Sequence, residues 1–147
     1  MTTYTFELFG TDHIFSIVSI IIFYIIFLKY NEKIGIQNKN KLFLIVLAFI
    51  IISLDLSEDI VRLITGYYSI KKDLPLQLCS VGIYVAAYAL LTMRQTAFEL
   101  IFYWGLVGAS QAILTPDGDL FEIKIFFFYS QAYHAALIFS VLWLMVK

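Results

Sequence analysis

Long apolar stretches alternate with short polar breaks along this chain, and five of them approach the about 20 residues a helix needs to cross a hydrocarbon core. They cover about residues 9–30, 42–65, 76–93, 97–114 and 121–146. The first holds the uninterrupted IFSIVSIIIFYIIFL from Ile14 to Leu28, and the second opens LFLIVLAFIIIS. Lys29, Lys33, Lys39 and Lys41 make the first break polar, Pro75 precedes the third span, and Thr115-Pro116-Asp117-Gly118-Asp119 reads as a turn before the fifth. Runs of Ile and Phe suit strands, but spans of about 18 residues are too long for the 9–11-residue strands of a membrane barrel. The pattern predicts an all-α, polytopic transmembrane bundle of about five helices forming a single integral membrane domain over residues 1–147. Residues 1–12 carry Glu7 and Asp12 but no Lys or Arg, which argues against a cleaved signal peptide, so the first span is expected to persist.

Composition agrees. Apolar residues make up 61% and charged residues 14%, against roughly 45–50% and 25% in soluble domains, and the mean hydropathy is +0.87. A formal charge of −1 provides no field for a nucleic-acid backbone, so nucleic acid is excluded as a partner and membrane lipids are expected instead. The single cysteine, Cys79, rules out an intramolecular disulfide framework and a cysteine-rich metal site. With the N-terminus outside, the inner segments carry the four lysines of the first break, Arg94 and Lys147, while the outer ones carry Lys71, Lys72 and Lys124. That bias predicts a multi-pass cell-membrane protein with its N-terminus out and C-terminus in.

Ionisable residues at bilayer depth are costly and face a protein interior or an aqueous cavity. In the second span Asp55, Glu58, Asp59 and Arg62 follow thirteen residues of which only Ser53 is polar. Asp55, Asp59 and Arg62 fall at i, i+4 and i+7, on one helical face in the outer half, as an ion pair that fixes packing or as a cavity wall. The same half receives His13, Gln77, Cys79 and Gln111, with Asp117 in the turn beyond. Gly105, Gly108 and Gln111, at i, i+3 and i+6 beside Ala109 and Ala112, predict a small-residue face that admits a neighbouring backbone. On the fifth span Gln131 and His134 point the same way, about 15 Å down.

A thiol and an imidazole in one cavity suit nucleophilic acyl chemistry, with an amide such as Gln77 or Gln111 holding the oxyanion and a carboxylate from Asp55, Glu58 or Asp59 orienting the imidazole. Buried packing is the plain alternative for a lone cysteine. No H-x-x-x-H, H-x-x-E-H or C-x-x-C spacing points to a metal, and no cofactor is implied.

The segment Leu74-Pro75-Leu76-Gln77-Leu78-Cys79-Ser80 resembles the L-P-L-H-L-C segment of YwaF-like bacterial integral membrane proteins. The stretch from Tyr103-Trp104-Gly105-Leu106 to Leu114-Thr115-Pro116-Asp117 resembles their Y-F-W-G-L-x-G-A-x-Q-A-L-L-T-P-D, and Phe9-Gly10-Thr11-Asp12-His13 their F-G-x-x-H start. His134 falls where they carry S-H. This group is similar to the transmembrane protein 164 acyltransferases. The resemblance implies Cys79 as nucleophile and His134 as base, acting on a lipid acyl ester that enters sideways from the outer leaflet by acyl transfer or hydrolysis. Two departures stand out. Gln77 replaces the motif's histidine, and the chain has five spans where relatives continue with more, which implies an open cavity, a homo- or hetero-oligomeric partner, or lost activity. The competing expectation is a non-enzymatic membrane module, a transporter subunit working through Asp55, Glu58, Asp59 and Arg62 or a lipid-binding assembly partner.

Overall fold

With no water to bond exposed N–H and C=O groups, a backbone inside hydrocarbon must satisfy them within itself, and helices do so segment by segment. A computed structural model describes residues 4–34, 41–70, 78–118 and 121–145, which fold as five helices with no strand. They are α1 (Thr11–Ile34), α2 (Lys41–Thr65), α3 (Leu78–Thr92), α4 (Gln95–Leu114) and α5 (Lys124–Met145). The all-α reading holds, and α1, α4 and α5 are long and apolar enough to cross a membrane. α2 has the length, at 25 residues, but gathers Asp55, Glu58, Asp59 and Arg62 in its second half.

The helices run up and down in sequence, bringing residues 4–10, Tyr67, Gly118 and Phe121 to one end, here the upper end. α5 is the central element: over half of it is buried, against 11% of the α1 span, so α1 lies at the periphery. The main core sets Leu47 and Ile51 of α2, Ile83 and Leu90 of α3 and Ile101 of α4 around Leu137 and Val141 of α5. α1 is attached at its two ends and once between. At the lower end Phe27 meets the Phe139 and Trp143 rings with centroids 4.5 and 5.7 Å apart, and Trp143 meets Phe43 at 4.6 Å. Midway, the Tyr24 hydroxyl donates to the Ala135 carbonyl at 2.6 Å. α3 and α4 are joined by only Met93 and Arg94, with Met93 in the left-handed region (φ 56°) to reverse the chain.

α4 is interrupted by a π-helical turn over Trp104–Gly108. Its buried positions, Ala97, Ile101, Gly105, Ala109 and Ile113, repeat at strict four-residue intervals. In an unbroken α-helix such a series drifts by about 40° per step. The wider π turn, with its i→i+5 bonding, takes up that drift and keeps the series on one face. The small-residue face expected from the sequence is corrected accordingly. Gly105 faces α5, where an added Cβ would lie 2.7 Å from Val141 Cγ2, whereas Gly108 has nothing within 4 Å and Gln111 is exposed.

Candidate functional site

The upper end is closed by the segment before α1. Phe6 sits against the His13, Phe121 and Phe127 rings, with centroids 5.4, 5.8 and 5.4 Å away. Tyr4 donates to Asp12 at 3.2 Å, and Lys124 pairs with Asp12 at 2.7 Å. Burial, reinforced by the Asp12 carboxylate, pushes the Tyr4 phenol up to about 12. His13 is fully buried, and both ring nitrogens are bonded. The Phe9 N–H donates to Nδ1 at 3.0 Å, so Nε2 carries the proton and donates to the Ile113 carbonyl at 2.8 Å. His13 therefore ties α1 to α4, and neither nitrogen is available as a base.

The charges of α2 divide into two groups. Arg62 is buried, and its Nε donates to Glu58 at 3.1 Å. Its Nη1 donates to Glu122, in the link before α5, at 2.9 Å, and its guanidinium lies 4.1 Å from the centroid of Phe126. Arg62 thus pairs with Glu58, outside the Asp55/Asp59/Arg62 set read from the sequence, and with Glu122, so the cation pins α2 to the head of α5. Asp55 is buried one turn below Glu58 and beside the Ser80 and Tyr84 hydroxyls of α3, while its Oδ2 has no hydrogen-bond partner. Asp59 is half-buried.

The middle of α5 presents the chemistry. His134 is buried, and its Nδ1–H donates to the Ser130 carbonyl at 2.7 Å, with the Ser130 hydroxyl 3.4 Å away. A carbonyl only accepts, so the proton is on Nδ1 and Nε2 keeps its lone pair. That Nε2 has no hydrogen-bond partner. One turn above, Gln131 is 2% exposed with both amide atoms unpartnered. Between them in sequence, the Tyr133 ring lies tilted by 32° against the His134 ring, with centroids 4.1 Å apart, and its phenol lies within electrostatic range of Glu58, Cys79 and Asp55. Cys79 is half-buried as a free thiol in the first turn of α3. An imidazole, an amide, a phenol, a carboxylate and a thiol thus come from α2, α3 and α5. Uncompensated polar atoms are costly in such a setting, and among the described residues Asp55, Gln131 and His134 keep them.

Gln111 does not join this group. It is exposed, because it lies two residues, about 200° of helix, from both buried Ala109 and Ile113, and its side chain bonds to Thr115 one turn on. Asp117 is exposed in the link after α4. Gln77 lies outside the described residues. Among the described residues no cluster of three or more His, Cys, Asp or Glu could hold a metal ion. Sequence reasoning placed Ser130 one turn above His134 but missed Glu122, Tyr133, Ser80 and Tyr84 as partners. Tyr133 had a signal in standing beside His134, but the partnership of Glu122 with Arg62 spans 60 positions and has none.

No curated protein and no solved structure matches this chain. One family model does, that of the TMEM164 family, over residues 8–147, which spans α1 to α5. By that match the chain belongs to the TMEM164 family.

Proposed function

We propose that this protein is a multi-pass cell-membrane acyltransferase or acyl hydrolase, in which Cys79 is the nucleophile, His134 the general base and a lipid acyl ester the substrate. The observation that carries the proposal is the His134 imidazole, whose Nδ1–H is held by the Ser130 carbonyl while Nε2 stays buried and unpartnered. A structural histidine in hydrocarbon has both nitrogens bonded, as His13 does. His134 instead keeps a lone pair free, the form a general base requires.

In the proposed reaction Nε2 takes the thiol proton from Cys79, and the thiolate attacks the ester carbonyl. The C–O bond to the leaving alcohol breaks as the imidazolium returns the proton to that oxygen, leaving a thioester on Cys79. Removing a proton from the incoming hydroxyl or water, His134 then helps transfer the acyl group and regenerate the thiol. The Gln131 amide, one turn above His134, supplies N–H donors for the oxyanion. With the N-terminus outside, as the basic residues suggest, the site opens toward the outer leaflet.

The test is acyl turnover by purified protein in phospholipid vesicles, with the thioester trapped by hydroxylamine. Cys79→Ala and His134→Ala are expected to abolish both signals while the helical signal is retained. Turnover unaffected by Cys79→Ala overturns the proposal. The non-enzymatic reading draws support from the unpartnered Asp55 Oδ2. It is favoured if Asp55→Asn blocks solute or proton flux through the vesicles and Cys79→Ala changes nothing.

A further inference from the structure

Asp55 is a buried acid that the proposed reaction leaves unused. It lies about 15 Å below Thr65 at the end of α2, a depth at which an ionisable group faces a protein interior or a cavity. The Ser80 and Tyr84 hydroxyls of α3 lie beside its carboxyl group, and the Tyr133 phenol of α5 is within electrostatic range. Its Oδ2 nonetheless has no hydrogen-bond partner, a costly arrangement for a polar atom closed off from solvent. Position links this atom both to the proposed nucleophile and to the bilayer. Ser80 follows Cys79 in the chain, and Tyr84, one turn further along α3, is 41% exposed on the outside of the bundle. Asp55 therefore stands one side chain in from the hydrocarbon and beside the residue that follows the thiol.

We infer that Asp55, Ser80 and Tyr84 form a binding site for a free hydroxyl on the glycerol unit of a membrane lipid. A carboxylate oxygen only accepts, so the occupant of Oδ2 brings a donor. Its own oxygen then accepts from Ser80 or Tyr84, a match that an ammonium, which only donates, does not offer. An ammonium would also carry its charge into hydrocarbon, whereas a hydroxyl is neutral. Occupancy of the site does not depend on the proposed acyl reaction, but its consequence rests on that reading. The hydroxyl that attacks the thioester gives its only proton to His134, and as the C–S bond breaks the proton returns to the sulfur. The hydroxyl held by Asp55 is then a neighbour of the attacking one, so the acyl acceptor is a lipid with two free glycerol hydroxyls.

The experiment uses the full chain as the Cys79→Ala variant, which needs no turnover, in phosphatidylcholine vesicles, whose lipid has no hydroxyl. The probe is a 1-O-alkylglycerol with a diazirine on the first carbons of its chain. After photolysis and digestion, labelling is expected around Tyr84, several-fold above the exposed Ile22 and Ile25 of α1. Unlabelled alkylglycerol should compete it away, while its dimethyl ether and the matching alkylamine should not. Asp55→Leu removes the acceptor and should lower the labelling about tenfold, the worth of one hydrogen bond to a charged group. Asp55→Asn should restore it, because the amide oxygen accepts in place of Oδ2. Since Asp55→Leu also removes an orphaned polar atom, its thermal midpoint should equal or exceed that of the parent. Labelling that survives Asp55→Leu, or that the dimethyl ether or the alkylamine displaces equally well, overturns the inference. With Cys79 intact, the alkylglycerol is expected to be acylated, with its KM raised about tenfold by Asp55→Leu and not by Asp55→Asn. Release of free fatty acid alone would give the orphaned oxygen to water and overturn the lipid diol as acceptor. If no thioester forms but the labelling pattern holds, the acyl reaction fails and the hydroxyl site stands.

Discussion

The Nδ1 of His134 lies 2.7 Å from the carbonyl oxygen of Ser130, one helical turn earlier, and this bond decides which nitrogen of the imidazole is free. Because the acceptor is a backbone carbonyl, the side chain of residue 130 is not required to set the tautomer. The helix itself points the basic Nε2 into the bundle.

The first prediction separates those two contributions. Under the proposed chemistry, His134→Ala lowers acyl turnover by about 100- to 10,000-fold, the usual contribution of a positioned general base. Ser130→Ala keeps the carbonyl and is expected to leave turnover close to that of the parent protein. Initial rates in vesicles check both, and a Ser130→Ala loss as deep as that of His134→Ala would place the hydroxyl, rather than the carbonyl, in control.

The Arg62 bridge is a stability element. Arg62→Met leaves Glu58 and Glu122 without their cation and should destabilise the bundle by about 3 kcal/mol. Glu122→Gln retains an acceptor for the guanidinium and should cost only about 1 kcal/mol. Reversible unfolding in mixed micelles, followed by circular dichroism, measures the difference.

Substitutions at two neighbouring glycines should behave oppositely. Gly105→Ala drives a Cβ to 2.7 Å from Val141 Cγ2 and is expected to cost about 1–3 kcal/mol, as overpacking does. Gly108→Ala meets nothing within 4 Å and should be tolerated. Pairing Gly105→Ala with Val141→Ala should recover part of the loss, which a double-mutant cycle in the same unfolding assay reads out.

His13→Ala removes two hydrogen bonds and the ring between Phe6 and Phe127. It should lower the thermal midpoint and expose residues 4–10 to protease, while the rate per folded molecule is unchanged. A collapse in that rate with the midpoint intact would instead make His13 part of the chemistry.

The sequence by itself determined the class of fold and the positions of the helices. Five apolar runs in lipid have one economical way to satisfy their backbones, and each run is local enough to be counted residue by residue. It also singled out His134 and Gln131, because a polar side chain inside an apolar run stands out wherever the helix faces, and the resemblance around Cys79 and Gly105 pointed to the family.

Facing and partnership were decided only by the tertiary structure. Gly105, Gly108 and Gln111 fall at three-residue steps, yet in a regular helix Gln111 already stands roughly 120° from Gly105. The π turn at Trp104–Gly108 keeps Ile113 on the buried face of Gly105, and Gln111, two residues from both Ala109 and Ile113, lies on the opposite side. His13 and His134 look alike as lone histidines on apolar helices, yet the first spends both nitrogens on Phe9 and Ile113 and the second keeps one. Arg62 finds Glu122 across a separation of 60 residues. A periodicity records which residues share a helix face, but the free electron pair of an imidazole and the partner of a buried cation depend on what the other helices bring to that face.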